Sequence, residues 1–175
     1  MKRSELFPAG LGLILLALLP SACSDYRFSV NDRVVYTPEP LFEDYTIVDE
    51  QVRACVEQTI RDRHIIAAGQ LDELNCSQAG ITDLQGIEVF TGLLRLKLSG
   101  NSIRKPDPLF HLQMLQELQL DDNELTSLKG IGGLLELRFL KLPGNRNLPC
   151  RELAYLAQRN TLKLEAPAHC RGLSP

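Results

Sequence analysis

Leucine and other apolar residues recur every 22 residues from Leu71 onward, and this period constrains the fold more than any other feature of the chain. Written in lines of 22, residues 71–158 form four lines with apolar slots at positions 1, 4, 6, 11, 14, 17 and 20. Of these 28 slots, 26 hold apolar residues, and the exceptions are Pro106 and Asn147. Chance would fill only about 12 slots at the chain's 44% apolar content, so the pattern indicates a repeat array.

A line of this length has no second layer of its own, so its leucines can be buried only when the lines stack as neighbouring coils. Position 9 is an asparagine in three lines, namely Asn101, Asn123 and Asn145, and the first line has Ala79 there. An inward asparagine can hydrogen-bond backbone groups of the next coil that would otherwise be buried without partners. We therefore predict a ladder of asparagines that links adjacent coils.

The slots follow the pattern L-x-x-L-x-L-x-x-N-x-[IL], which resembles the leucine-rich repeat family. The repeat length and the phrases Ile81-Thr82-Asp83-Leu84 and Asp107-Pro108-Leu109 are similar to its bacterial, internalin-like branch, over roughly residues 71–164. The resemblance implies a right-handed α/β solenoid with one short parallel strand per coil on a concave face and 3₁₀ or irregular structure on the convex side. Segments such as Leu96-Lys97-Leu98 alternate as strands do, whereas a helical domain would show a spacing of about 3.6.

The first 22 residues have the form of a secretory signal peptide. Lys2 and Arg3 precede an uncharged stretch over residues 6–22. This stretch contains prolines and glycines and is too short and too interrupted for a membrane-spanning helix. We therefore expect residues 1–22 to be removed from the mature protein.

The residues Ser21-Ala22-Cys23 resemble the processing box of bacterial lipoproteins. The resemblance implies that Cys23 is lipidated and anchors the protein to a membrane through several acyl chains. Several chains bind a membrane stably, whereas a single chain binds it only weakly. Pro20 departs from the branched aliphatic residue usual at its place, and simple cleavage after Ala22 is the alternative. Ser24 stands where lipoproteins of the inner membrane usually carry Asp, so the resemblance points to the outer membrane.

The rest of the chain divides into a tether, two caps and the repeats. Residues 23–48 are expected to form a tether, within which the alternating Phe28 and Val30 and the following Val34-Val35-Tyr36 allow a small β-hairpin. Residues 49–70 predict an N-terminal helical cap, because Asp49 is a favourable N-cap and helical spacing continues to Arg63. Residues 71–158 are the four repeats, and residues 159–175 are expected to supply a last strand and a C-terminal cap.

Five cysteines are an odd number for an exported protein, and assigning Cys23 to lipid leaves an even set. Cys55 lies on the apolar stripe of the predicted cap helix and Cys76 in an inward slot of the first coil, so a bridge between them would join cap to core. Cys150 and Cys170 bracket the other end, where we expect a second bridge. The alternative is that all four are buried free thiols.

Composition and motifs argue against several classes of function. The formal net charge is −3 and no basic face is present, which argues against nucleic-acid binding. His64, His111 and His169 are far apart, and no Cys-x-x-Cys, His-Glu-x-x-His or phosphate-loop motif occurs. The adjacent Asp121 and Asp122 cannot alone supply the six to eight oxygen ligands that calcium needs. We therefore expect no enzyme activity, no cofactor and no metal.

Positions 3 and 5 of each line are expected on the concave face of the sheet. Steps of 22 residues would align one column of Glu73, Arg95, Glu117, Phe139 and Thr161, and a second of Asn75, Lys97, Gln119, Lys141 and Lys163. The candidate partner-binding residues are Arg95, Lys97, Glu117, Gln119, Phe139 and Lys141, with Phe139 as the apolar anchor. Five strands about 4.8 Å apart give a strip about 20 Å wide, which suits a loop, a helix or a short peptide.

Two functions fit these expectations. The first is a protein-binding module of the bacterial envelope, tethered to the outer membrane by its N-terminal lipid, that binds a protein or peptide segment on its concave face. The second is a structural or immunity-type envelope protein that makes its contacts through the cap or the convex face. In either case we expect a monomer.

Overall fold

A computed structural model describes residues 28–30, 33–36, 41–170 and 172 of the chain. The predicted signal peptide and Cys23 lie outside the described residues. The chain divides into two units, residues 1–38 and 39–175. In the first unit, strand β1 (Phe28–Val30) pairs antiparallel with strand β2 (Arg33–Tyr36), and this pairing is the hairpin that the alternation of apolar residues allowed.

The second unit contains a five-stranded parallel sheet. Its strands are β3 (Glu73–Asn75), β4 (Arg95–Lys97), β5 (Glu117–Gln119), β6 (Phe139–Lys141) and β7 (Lys163–Glu165). They neighbour one another in chain order. The central leucines of the first four strands are fully buried, because each points into the core shared with the adjacent coils. This arrangement confirms the predicted leucine-rich repeat solenoid.

The register between strands follows the repeat length from β3 to β6. Leu74 pairs with Leu96, Leu96 with Leu118 and Leu118 with Leu140, so each partner lies one repeat further along the chain. Between these strands, the convex side carries short 3₁₀ helices, which are Ile87–Val89, Asp107–His111 and Ile131–Gly133.

The last step departs from the repeat length. Phe139 pairs with Lys163 and Lys141 with Glu165, so the final register is two residues longer than predicted. The prediction that Thr161 would stand beside Phe139, and Lys163 beside Lys141, is therefore wrong. The physical reason is the connection, which replaces a single 3₁₀ helix with Cys150–Leu153 followed by helix α2 (Ala154–Ala157).

The asparagine ladder is present. The side-chain amide of Asn123 donates to the carbonyls of Leu98 and Leu120, at 2.9 and 3.1 Å, and its oxygen accepts from the backbone N–H of Ile103 at 3.1 Å. Asn101 and Asn145 bridge their coils in the same way. All three side chains are buried, so the ladder satisfies polar groups that water cannot reach.

Helix α1 (Glu50–Arg63) covers the first coil with Val52, Val56 and Ile60. Its N-cap is Asp49, as predicted, and the carboxylate oxygen Oδ1 accepts from the backbone N–H groups of Gln51 and Val52. The helix ends at Arg63, and its C-cap is His64, whose backbone is left-handed with φ of 52°. These contacts bury the apolar edge that the first coil would otherwise expose to solvent.

The second carboxylate oxygen of Asp49 attaches the helix to the repeats. Oδ2 accepts from the backbone N–H groups of Thr82 and Asp83, at 2.9 and 3.1 Å. Burial raises the pKa of the Asp49 carboxyl, but the backbone N–H groups of Thr82, Asp83, Val52 and Gln51 outweigh it, so the pKa lies below its ordinary value. One side chain therefore both caps the helix and positions it on the first coil.

Residues 41–48, assigned to the tether from the sequence, pack on the first coil instead. Ile47 is buried, and the backbone N–H of Val48 donates to the carbonyl of Gln85. A Cβ on Gly86 would lie 2.1 Å from the carbonyl oxygen of Thr46, so only glycine permits this close approach. The assignment overlooked this contact because residues 41–48 have no repeat or helical period of their own.

Two disulfide bonds join the predicted cysteine pairs, Cys55 to Cys76 and Cys150 to Cys170. The first bond joins α1 to the coil that carries β3. The second joins the 3₁₀ helix Cys150–Leu153 to the 3₁₀ helix Ala168–Cys170, which follows β7. The free-thiol alternative is therefore wrong. Among the helices of the described residues, none combines the length and the apolar character needed to cross a membrane.

Candidate functional site

The concave face is formed by the strand residues on either side of each central leucine. It carries Glu73, Asn75, Arg95, Lys97, Glu117, Gln119, Phe139, Lys141, Lys163 and Glu165. The six predicted partner-binding residues lie together on the adjacent strands β4, β5 and β6. Their positions follow from strand geometry, because alternate residues of a strand point to opposite faces of the sheet.

An ionic network covers the N-terminal end of this face. The Glu73 carboxylate accepts from the Arg95 guanidinium at 3.0 Å and from the Lys97 ammonium at 3.2 Å. Arg63 at the end of α1 donates to the Asp72 carboxylate at 2.7 Å. The hydrogen bonds from Arg95, then Lys97, lower the pKa of the Glu73 carboxyl, and the bond from Arg63 lowers the pKa of Asp72. The charges of Arg95 and Lys97 are thus compensated within the protein.

A second ion pair lies at the carboxyl ends of the adjacent strands β5 and β6. The Lys141 ammonium donates to the carboxylate of Asp121 at 3.1 Å, and the Ser99 hydroxyl donates to the same carboxylate. The Asp121 residue is buried, with 8% of its surface exposed. The hydrogen bond to Asp121 raises the pKa of the Lys141 ammonium, so Lys141 stays charged across the physiological range.

The centre of the face is less constrained. Glu117 accepts a hydrogen bond from the side-chain amide of Gln119 at 2.7 Å, and no cation among the described residues pairs with it. Phe139 is partly exposed beside it on β6. The Lys163 ammonium lies 5.1 Å from the centroid of the Phe139 ring, which is within the range of a cation–π contact.

These contacts define what the face can recognise. Lys97, Lys141 and Lys163, the three lysines that the sequence places in one column, each have a carboxylate partner within 3.5 Å. The partners are Glu73 for Lys97, Asp121 for Lys141 and Glu165 for Lys163. The face is therefore not a free basic patch that would attract a polyanion. The groups available to a partner are the Phe139 ring, the Glu117 carboxylate and the Gln119 amide, and the charged side chains around them are already paired.

Sequence reasoning found the strand residues but not their partners. Glu73 and Asp121 were not among the candidates, although each fixes a predicted lysine. Glu73 and Arg95 stand one repeat apart at the same line position, and that spacing alone would have placed them side by side. No comparable signal existed for Lys163 beside Phe139, because that contact depends on the longer last connection.

The convex side carries a groove of about 820 Å³. It is lined by Asp107, Phe110, Gly132, Gly133, Glu152 and Tyr155, among others. Phe110 and Tyr155 are 48% and 63% exposed, so two aromatic rings face solvent there. This groove is the feature of the described residues that best fits contacts through the convex face.

The second disulfide stands close to a histidine. The sulfurs of Cys150 and Cys170 and a ring nitrogen of His169 lie within 4.8 Å of one another. The two sulfurs are bonded to each other, so neither is the thiolate that a metal ion would require. His169 has a structural contact, because its Nε2 lies 2.9 Å from the carbonyl oxygen of Leu148.

In the comparisons with known proteins, this chain is similar to parts of longer proteins. No family model matches the chain. A 68-residue segment is 37% identical to the 187-kDa microtubule-associated protein AIR9 of Arabidopsis thaliana, and it amounts to 38% of this chain and 4% of that protein.

Two solved structures from Listeria monocytogenes are also similar. Internalin C2 matches with a TM-score of 0.57 and 23% identity, covering 68% of this chain and 55% of that chain. The functional domain of InlJ matches at 21% identity with a TM-score of 0.31, covering 52% of this chain and 29% of that chain. At these identities the likeness to internalin C2 concerns the fold alone. Together with the parallel sheet and its repeat-length register, it gives this chain an internalin-like leucine-rich repeat fold.

Proposed function

We propose that this chain is a lipid-anchored module of the bacterial envelope that binds a protein segment on its concave face. In this proposal, residues 1–22 are the signal peptide, Cys23 carries the lipid and the following residues tether the repeats to the outer membrane. The Ser21-Ala22-Cys23 sequence and Ser24 support the anchor and its location. The two disulfides support export, because such bonds persist in oxidising compartments.

The observation that carries the binding proposal is the environment of Phe139. The ring is partly exposed on β6, beside the central strand β5, while the adjacent Lys141 and Lys163 already have carboxylate partners. A partner segment can therefore bury an apolar side chain against the part of the Phe139 ring that Lys163 does not cover, and the flanking ion pairs stay intact. Glu117 and Gln119 remain within reach as polar contacts. Aromatic residues near the centre of a contact surface commonly contribute most of the binding energy.

We expect the variant Phe139→Ala to bind its partner about thirtyfold more weakly, since losing a central aromatic contact costs about 2 kcal/mol. Glu117→Ala should weaken binding less, because it removes one partly exposed carboxylate and no apolar surface comparable to the Phe139 ring. The chain would be used to capture its partner from native envelopes, and the affinity of the purified pair would then be measured for each variant. Lys141→Glu is not a suitable test of binding, because it places a third carboxylate beside Asp121 and Glu165 and so destabilises the fold itself.

Phe110→Ala provides the matched control, because it removes an exposed phenylalanine from the convex groove instead. We expect it to leave the affinity unchanged. If Phe110→Ala or Tyr155→Ala abolishes capture while Phe139→Ala binds as the native chain does, the concave-face proposal fails. The result would then favour the structural or immunity-type function, with the convex groove as its contact surface.

The anchor has a separate test. We expect mass analysis of the N-terminal peptide, isolated from cells, to find Cys23 as the first residue and several acyl chains attached to it. An unmodified peptide beginning at Cys23 would refute the lipid anchor, and it would leave the concave-face proposal intact. The variant Cys23→Ser should release the protein from the membrane fraction.

A further inference from the structure

Strand β7 is the last strand of the sheet, and one of its edges has no neighbouring strand within the described residues. Its inner edge bonds to β6: the Lys163 N–H donates to the carbonyl of Arg138, and the carbonyl of Glu165 accepts from Leu142. In a parallel sheet, alternate residues bond to opposite sides. The N–H and carbonyl of Leu164, and those of Ala166, therefore point away from the sheet.

The opposite end of the sheet is closed. The first strand, β3, lies beside α1, and Arg63 donates to the outward carbonyl of Glu73 at 3.1 Å. The Cys55–Cys76 disulfide holds the helix there. No helix among the described residues covers the edge of β7 in this way, and both Leu164 and Ala166 are partly exposed. An exposed strand edge of this kind pairs readily with another strand.

The sequence of this edge is complementary to itself. If two copies of β7 pair antiparallel with Leu164 opposite the partner's Leu164, then Lys163 stands opposite the partner's Glu165, and Glu165 opposite the partner's Lys163. Opposite charges directly across an antiparallel pair are stabilising. Leu164 would exchange two hydrogen bonds with the partner's Leu164, and the N–H of each Ala166 would reach the free carbonyl of Leu162 in the other copy.

We infer that this chain forms a twofold-symmetric dimer through the outer edge of β7. This inference departs from the monomer expected from the sequence, and it goes beyond the proposed function, for which one protomer suffices. The dimer would join two five-stranded sheets into one ten-stranded sheet. At about 4.8 Å per strand, the strip would lengthen to about 45 Å, enough for a globular partner.

The test uses charge reversal at the edge. Sedimentation velocity of the full chain in density-matched detergent solution, over a range of protein concentrations, is expected to show a reversible dimer. The variants Lys163→Glu and Glu165→Lys each place like charges opposite one another twice in the dimer. Each should therefore raise the dimer Kd by about tenfold. The double variant Lys163→Glu, Glu165→Lys restores opposite charges and should restore the native Kd.

Lys105→Glu makes the same charge change at an exposed position away from the edge and should leave the dimer unchanged. A chain that is monomeric at every concentration would overturn the inference. So would a dimer whose Kd is the same in all four variants, which is the result expected if the detergent micelle alone held two copies together. Loss of the dimer in the single variants without recovery in the double variant would also count against the β7 pairing.

Discussion

Replacing Asn123 with alanine should lower the free energy of unfolding by about 3 kcal/mol, the largest effect we expect from removing one polar side chain. The substitution leaves the buried backbone N–H of Ile103 without a partner. It also removes one of the two asparagine donors from the carbonyls of Leu98 and Leu120, which keep only Asn101 and Asn145. Each buried group left unpaired costs about 1 to 3 kcal/mol. Equilibrium unfolding in urea, monitored by circular dichroism, measures the difference.

Asn160→Ala is the control for this prediction, because Asn160 is exposed and lies outside the ladder. We expect its effect to stay within about 0.5 kcal/mol, as for most surface substitutions. Equal unfolding free energies for the Asn123 and Asn160 variants would show that the ladder contributes nothing to stability. Asn101→Ala should resemble Asn123→Ala, since Asn101 also pairs with buried backbone groups of the preceding coil and of its own coil.

The double variant Cys55→Ser, Cys76→Ser should also lose about 3 kcal/mol of stability, because it frees a loop of about 20 residues in the unfolded chain. The same loss is expected for Cys150→Ser, Cys170→Ser, whose cysteines are separated by a similar length of chain. The two variants should differ in where the protein opens. Hydrogen exchange should increase over α1 in the first and over Cys150–Ala157 in the second, and stay slow in β5 in both.

The two disulfide variants act as controls for each other. If both speed exchange equally along the whole chain, the bonds do not hold the two ends separately, and the local interpretation is wrong. Reducing agent added to the native protein should reproduce the sum of the two effects, because it opens both bonds. A native protein whose unfolding midpoint is unchanged by reduction would contradict the assigned contribution of the disulfides.

The repeat period was sufficient to predict the strands and most of their register. Leu96, Leu118 and Leu140 are inward residues in a pattern that only stacked coils can satisfy, so their neighbours followed from arithmetic. The cap helix was predictable because Asp49 and the apolar stripe are local signals. The cysteine pairs followed from the positions of Cys55 and Cys76 on facing elements.

Contacts that depend on packing could not be predicted in this way. The second hydrogen-bonding role of Asp49, toward Thr82 and Asp83, depends on how the helix docks on the first coil. The position of Lys163 beside Phe139 depends on the length of the connection through α2, which interrupts the period. The pairing of Lys141 with Asp121 is a choice of rotamer on an open face. The contacts of Lys163 and Lys141 are the two that lie in the candidate site, and they decide how its charges are paired.

The unbroken register between β3 and β6 has a consequence for how such a gene can change. Each strand pairing there joins a residue to its equivalent one repeat later, as Leu96 pairs with Leu118, and the salt bridge between Glu73 and Arg95 has the same spacing. An in-frame duplication of residues 93–114 would insert a complete coil whose neighbours still match it on both sides. Neither disulfide would be disturbed, since each closes within one end of the array. Recombination can therefore lengthen the concave face one strand at a time, while the sequences of both caps stay the same.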